Sequence, residues 1–135
     1  MLKCESGRIT VAAELATWTA RVLKPWPRSR SSVIGVLPVG YADGYRRGLQ
    51  HGGEVLVRGL RAPVVGAVCM DLTMVDLTDV PSAAPGDEVI LWGGSGDTAI
   101  SVNDVARLVQ TISYELLCTV GRRVPRVYLH GAERT

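Results

Sequence analysis

Apolar residues in this chain come in short, β-branched runs, most of them closed by glycine, proline or a turn cluster, and this punctuation constrains the fold more than any other feature. Val33 to Val39 is a buried-strand signal that ends at Gly40, after which Tyr41-Ala42-Asp43-Gly44 turns the chain. Glu54 to Arg58 alternates polar and apolar residues, Gly59-Leu60-Arg61 turns, and Ala62 to Met70 returns as a second apolar run, which predicts a hairpin. Leu72 to Leu77 alternates again, Pro81 to Asp87 is a loop, and Glu88 to Trp92 is one more strand. Helical spacing is convincing in one place: Val102, Val105, Ala106 and Val109 recur at i, i+3, i+4 and i+7 behind a cap at Ser101. A shorter helical segment follows around Ser113 to Leu117, and Val124 to Leu129 reads as a closing strand. Many short strands and one or two short helices predict a mainly β, small antiparallel barrel-like domain with a helix on one side.

A length of 135 residues allows one such domain, and 47% hydrophobic against 21% charged residues supplies a core. The strand signals define a domain over residues 33–129. Residues 1–32 read as an atypical leader and loop, with a strand signal at Ile9 and Val11 and a Pro/Ser/Arg-rich stretch from Lys24 to Ser32; residues 130–135 read as a flexible tail. No apolar run reaches the roughly 18 residues of a transmembrane helix, and the opening residues lack a signal peptide's continuous apolar stretch, so the expectation is a cytoplasmic protein. A net charge of +2, with Arg46-Arg47 and Arg122-Arg123 as scattered pairs, argues against a nucleic-acid or membrane partner.

The chemistry-bearing residues are few. Cys4, Cys69 and Cys118 are widely spaced and form neither a disulfide framework nor a CxxC site, so reduced thiols are expected. His51 and His130 have no partner at metal-ligand spacing, and no metal site is expected. Gly93-Gly94-Ser95-Gly96 lacks the Lys-Ser/Thr step of a phosphate loop and reads as a turn. Tyr41 follows an apolar strand, where side chains can converge on a ligand, but a tyrosine there often only caps a core; Tyr114 carries the same ambiguity. Cys69-Met70-Asp71 places a thiol, a thioether and a carboxylate at the expected end of a buried strand, where backbone N–H groups beyond the last pairing can meet an anion. Core packing is the plain reading of Cys69.

Gly40-Tyr41-Ala42-Asp43-Gly44-Tyr45, then Arg61 to Gly66, Val68-Cys69-Met70-Asp71, Pro85 to Val89, Asp104-Val105-Ala106, Thr111 to Cys118 and Arg123 to Tyr128 stand in the order and approximate spacing of one family. Over residues 33 to 129 the chain resembles the C-terminal domain of alanine racemase. That resemblance implies a pyridoxal-phosphate-dependent isomerase that interconverts L- and D-alanine for peptidoglycan. The family's subunit joins a TIM barrel, which carries the Schiff-base lysine, to a mostly β C-terminal domain that completes the partner's active site in a homodimer.

By the same resemblance Tyr41 and Tyr114 line the cofactor site, Tyr114 being associated with the cofactor phosphate. Met70 offers its backbone N–H to the substrate carboxylate, with Asp71 beside it. The family's second acid/base, a tyrosine in a Gly-Tyr-Gly-Ala-Thr-type motif, has no counterpart: Glu14-Leu15 stands before Ala16-Thr17-Trp18-Thr19-Ala20, and no tyrosine precedes Tyr41. The catalytic residue is therefore left unassigned. Lys3 and Lys24 are the only lysines and lie in the leader, so the cofactor is not expected to attach to this chain. The expectation is a domain that completes a partner barrel's site and is inactive alone, in a homo-oligomer. The alternative is a non-catalytic binding or dimerisation module that keeps the fold.

Overall fold

The computed structural model describes residues 2–5, 8–14, 20–22 and 32–129. In chain order the strands are β1 (Leu2–Glu5), β2 (Arg8–Glu14), β3 (Ala20–Val22), β4 (Ser32–Leu37), β5 (Glu54–Val57), β6 (Leu60–Val65), β7 (Thr73–Asp76) and β8 (Glu88–Trp92). Helices α1 (Val102–Leu108) and α2 (Ser113–Thr119) follow, and β9 (Arg126–Leu129) comes last. The nine strands form one sheet in the order β3-β4-β7-β6-β5-β8-β2-β1-β9. Every pairing is antiparallel except β1 with β9. The mainly antiparallel β architecture with two short helices agrees with the sequence expectation, and the described pairings leave the sheet open at β3 and β9.

Residues before position 32 supply three of these strands. The Ile9/Val11 signal lies in β2, which pairs with β8 from Val11↔Trp92 to Glu14↔Glu88, while β3 extends the sheet beyond β4. The Pro/Ser/Arg-rich stretch up to residue 31 and the tail from His130 lie outside the described residues.

The β5–β6 hairpin turns differently from the expectation. Arg58 and Gly59 alone make the turn, at φ values of 50° and 76°, so Leu60 already belongs to β6 opposite Val57. Two consecutive positive φ values match the right-handed twist of the flanking strands. β6 also ends at Val65 and not near Met70, because Gly66 takes a φ of 67° and breaks the ladder. The apolar run continues past it because Val68, 1% exposed, plugs the core from a loop.

The core is built from Leu37, Val55, Val57, Val75, Val89, Leu91 and Trp92 of the sheet, closed by Leu49, Val105, Ala106 and Leu116. Each fully buried Val or Leu contributes about 1.5–3 kcal/mol relative to exposure. α1 starts as its sequence predicts, the Ser101 hydroxyl accepting the Asn103 N–H at 3.2 Å. α2 is held by a single deep anchor, Leu116, with Val120 buried just beyond its end.

Candidate functional site

The loop after β4 is where the site is built, and glycine makes it possible. A Cβ on Gly40 would lie 2.2 Å from the Cys69 carbonyl oxygen and 2.5 Å from the Met70 carbonyl carbon, so only glycine lets the two backbones meet. They are then joined by two hydrogen bonds: the Tyr41 N–H donates to the Cys69 carbonyl at 3.0 Å, and the Ala42 N–H to the Met70 carbonyl at 2.9 Å. Tyr41–Asp43 forms a 3-10 turn where the sequence predicts a turn after the strand, and Gly44 closes it at a φ of 105° with its N–H on the Tyr41 carbonyl.

Asp43 organises this turn. Its carboxylate Oδ2 accepts the Gly40 N–H at 3.0 Å, and Oδ1 accepts the Nε and Nη2 hydrogens of Arg123 at 3.0 and 2.7 Å. The Asp43 carbonyl accepts the Gly121 N–H at 2.9 Å, and a Cβ on Gly44 would sit 2.5 Å from the Thr119 carbonyl oxygen. The turn is thus wedged between the 69–70 loop and the chain leaving α2. Below it Tyr45 enters the core and stacks on Trp92 with centroids 6.1 Å apart. The Tyr45 hydroxyl has no hydrogen-bond partner among the described residues, and burial raises its pKa well above the ordinary tyrosine value. Tyr45, 1% exposed, is a core residue.

Tyr41 and Met70 are brought side by side by these backbone bonds, and both are exposed, at 44% and 57%. Asp71 follows in the same exposed loop. Tyr114, 76% exposed, lies on α2, which is tied to the same region twice: Glu115 pairs with Arg46, and Thr119 packs against Gly44. The Met70 N–H has no hydrogen-bond partner among the described residues, whereas the adjacent Cys69 N–H turns back to the Leu72 carbonyl at 2.9 Å. A backbone N–H left open in an exposed loop can donate to an anionic ligand.

Other sequence candidates fall away from this surface. Cys69 is exposed in the loop, where core packing at a strand end was the expectation, because Val68 takes the buried position. Cys69 and Cys118 are free thiols. His51 is exposed beside Gln50, and His130 lies outside the described residues. Gly93 to Gly96 forms a turn bridged by Gly93 and Ile100, with positive φ at Gly93, Gly94 and Gly96. No three metal-ligating side chains gather among the described residues. Asp43 and Arg123 were missed as site residues; each lies inside a quoted motif, but nothing in either motif says that they pair across 80 positions.

The family model described as "Alanine racemase, C-terminal domain" matches residues 24–128. Alanine racemase 1 of Clostridium acetobutylicum is 48% identical over 104 residues, covering 77% of this chain and 27% of that protein. The biosynthetic alanine racemase of Pseudomonas aeruginosa superposes with a TM-score of 0.75 at 41% identity, covering 90% of this chain and 35% of that one. The alanine racemase of Bartonella henselae, solved with covalently bound pyridoxal phosphate, gives 0.73 at 30% identity over 90% of this chain and 32% of that one. This chain accordingly spans about a quarter to a third of the length of the relatives it matches, and its matched region and its fold place it in the alanine racemase C-terminal domain family.

Proposed function

We propose that this chain completes the active site of a pyridoxal-phosphate-dependent alanine racemase by docking on a partner barrel domain, and that it is inactive without that barrel. One observation carries the reading: two backbone hydrogen bonds across Gly40 hold an exposed Tyr41 against the Met70 loop, where the Met70 N–H has no hydrogen-bond partner among the described residues. Bound between the two parts, pyridoxal phosphate would draw electrons from the substrate Cα and loosen its proton. The donors here suit an accessory role toward such a group. The Tyr41 and Tyr114 hydroxyls can donate to the cofactor, Tyr114 to its phosphate, and the Met70 N–H can donate to the substrate carboxylate with Asp71 next to it. No lysine lies among residues 32–129, so covalent attachment falls to the barrel. We assign residues 33–129 to this domain, with residues 1–32 leading into it, and place the assembled homo-oligomer in the cytoplasm, making D-alanine for peptidoglycan. Among the described residues no helix is long and apolar enough to cross a membrane.

The test is titration with a separately expressed alanine racemase barrel loaded with pyridoxal phosphate. Addition of the chain should change the cofactor's visible circular-dichroism band and raise alanine racemisation above that of the barrel alone. Tyr41→Ala and Tyr114→Ala should weaken both effects. Binding to the barrel with an unchanged band and no gain in turnover would instead favour a non-catalytic dimerisation module.

A further inference from the structure

We infer that Arg123 is a positioning residue for Tyr41, acting through Asp43 as a side-chain bolt across the turn that carries Tyr41. The bolt rests on the geometry of the turn; only its catalytic consequence rests on the racemase reading.

Asp43 is 8% exposed, and a carboxylate so placed is costly to bury without hydrogen bonds and a partner cation. It divides its oxygens between two tasks. Oδ2 holds the Gly40 N–H, the residue before Tyr41, and Oδ1 receives the two-hydrogen grip of Arg123. Tyr41 therefore lies within a ring closed by the Asp43 side chain, and Arg123 fixes the orientation of that side chain. Among the described residues this is the only ion pair that reaches residues 40–45.

Arg123 also sits where it can be removed without opening the core. Its side chain is 60% exposed. The segment around it keeps independent anchors: Leu116 and Val120 are buried, the Gly121 N–H bonds to the Asp43 carbonyl, and Arg126 donates to the Val120 carbonyl at 2.9 Å. Loss of the guanidinium should therefore free the Asp43 carboxylate, and with it Gly40 and Tyr41, while the sheet stays intact.

Native-state hydrogen exchange on the full chain tests this residue by residue. In Arg123→Ala the Gly40, Tyr41 and Ala42 amides should exchange about tenfold faster or more, the loss expected for a hydrogen bond to a charged group. The Val57 and Val89 amides of β5 and β8 should keep their rates. Guanidinium ion added below denaturing concentration should restore protection at Gly40 in Arg123→Ala, since it can occupy the vacated exposed position. Arg123→Lys, which keeps the charge without the paired N–H geometry, should fall between parent and Arg123→Ala. Unchanged exchange at Gly40 to Ala42 would overturn the inference, and so would an equal acceleration at Val57 and Val89. The cofactor's visible circular-dichroism band with the racemase barrel is a separate readout: a parent chain that never changes it refutes the racemase reading, whereas the exchange pattern alone decides the bolt.

Discussion

Gly40 shows how little room the site leaves at single residues. Its φ of −156° is open to any amino acid, so the requirement for glycine is one of space: the nearest obstacle to a Cβ is backbone and cannot rotate away. Gly40→Ala should push the Tyr41 turn off the 69–70 loop, part its two hydrogen bonds and destabilise the chain by about 2–4 kcal/mol. A urea-unfolding midpoint indistinguishable from the parent's would contradict this. The candidate residues were named from compact motifs, and Tyr41, Met70 and Tyr114 are all exposed, as a docking surface requires. The turn at Tyr41–Gly44 was legible from its own residues, but the Asp43–Arg123 pair was not, since it depends on segments far apart in sequence coming into contact. Cys69 misled for a related reason. An apolar run read alone gives no sign that Gly66 ends the strand and that Val68, not Cys69, points inward.

At the scale of elements, boundaries were legible where local chemistry decides them. Glu88 to Trp92 and the Ser101 cap follow from alternation and capping, whereas the hairpin turn was misplaced because Arg58, a residue with no turn preference, occupies a positive φ. Arg58 is held there by Asp87, whose carboxylate accepts from Arg58 at 2.7 and 2.8 Å and from the Ala84 N–H at 2.8 Å. The Arg58 hydrogen bond, helped by the Ala84 N–H, holds the Asp87 carboxyl below its ordinary range. A carboxyl whose folded value is depressed adds stability above its unfolded value of about 4 and loses it as the pH falls through the folded value. Arg58→Ala should therefore lower the urea midpoint at pH 7 more than at pH 3, and an equal drop at both would exclude the linkage. Between α1 and α2, Gln110 takes a φ of 57°, and the Thr111 N–H bonds back to the Ala106 carbonyl, a left-handed helix end that favours glycine. Gln110→Gly should stabilise the chain by about 0.5–1 kcal/mol, measured by the thermal midpoint.

Across the whole molecule the sheet joins the strands before residue 32 to the rest, and this matters for what the domain can do with a barrel. β2 is not an appendage: it pairs with β8, itself bonded to β5 in the core, and it ends at Glu14. In the resembled enzymes a tyrosine is expected near this place as the acid/base on one face of the substrate, and Glu14-Leu15 stands there instead. A carboxylate is shorter and far more acidic than a phenol, so Glu14 is a poor replacement. Joined to a competent racemase barrel, the chain should let pyridoxal phosphate bind while racemisation stays slow, because the barrel lysine can serve only one face. Loss of a positioned acid/base lowers a rate by a factor of about 10² to 10⁴. Replacing Glu14-Leu15 by Tyr-Gly in that chimera should recover a factor of this size in both directions, L to D and D to L, with little change in cofactor affinity. An unmodified chimera that already racemises at the rate of the intact relatives would show that the second acid/base comes from elsewhere, and that the end of β2 carries no catalytic role.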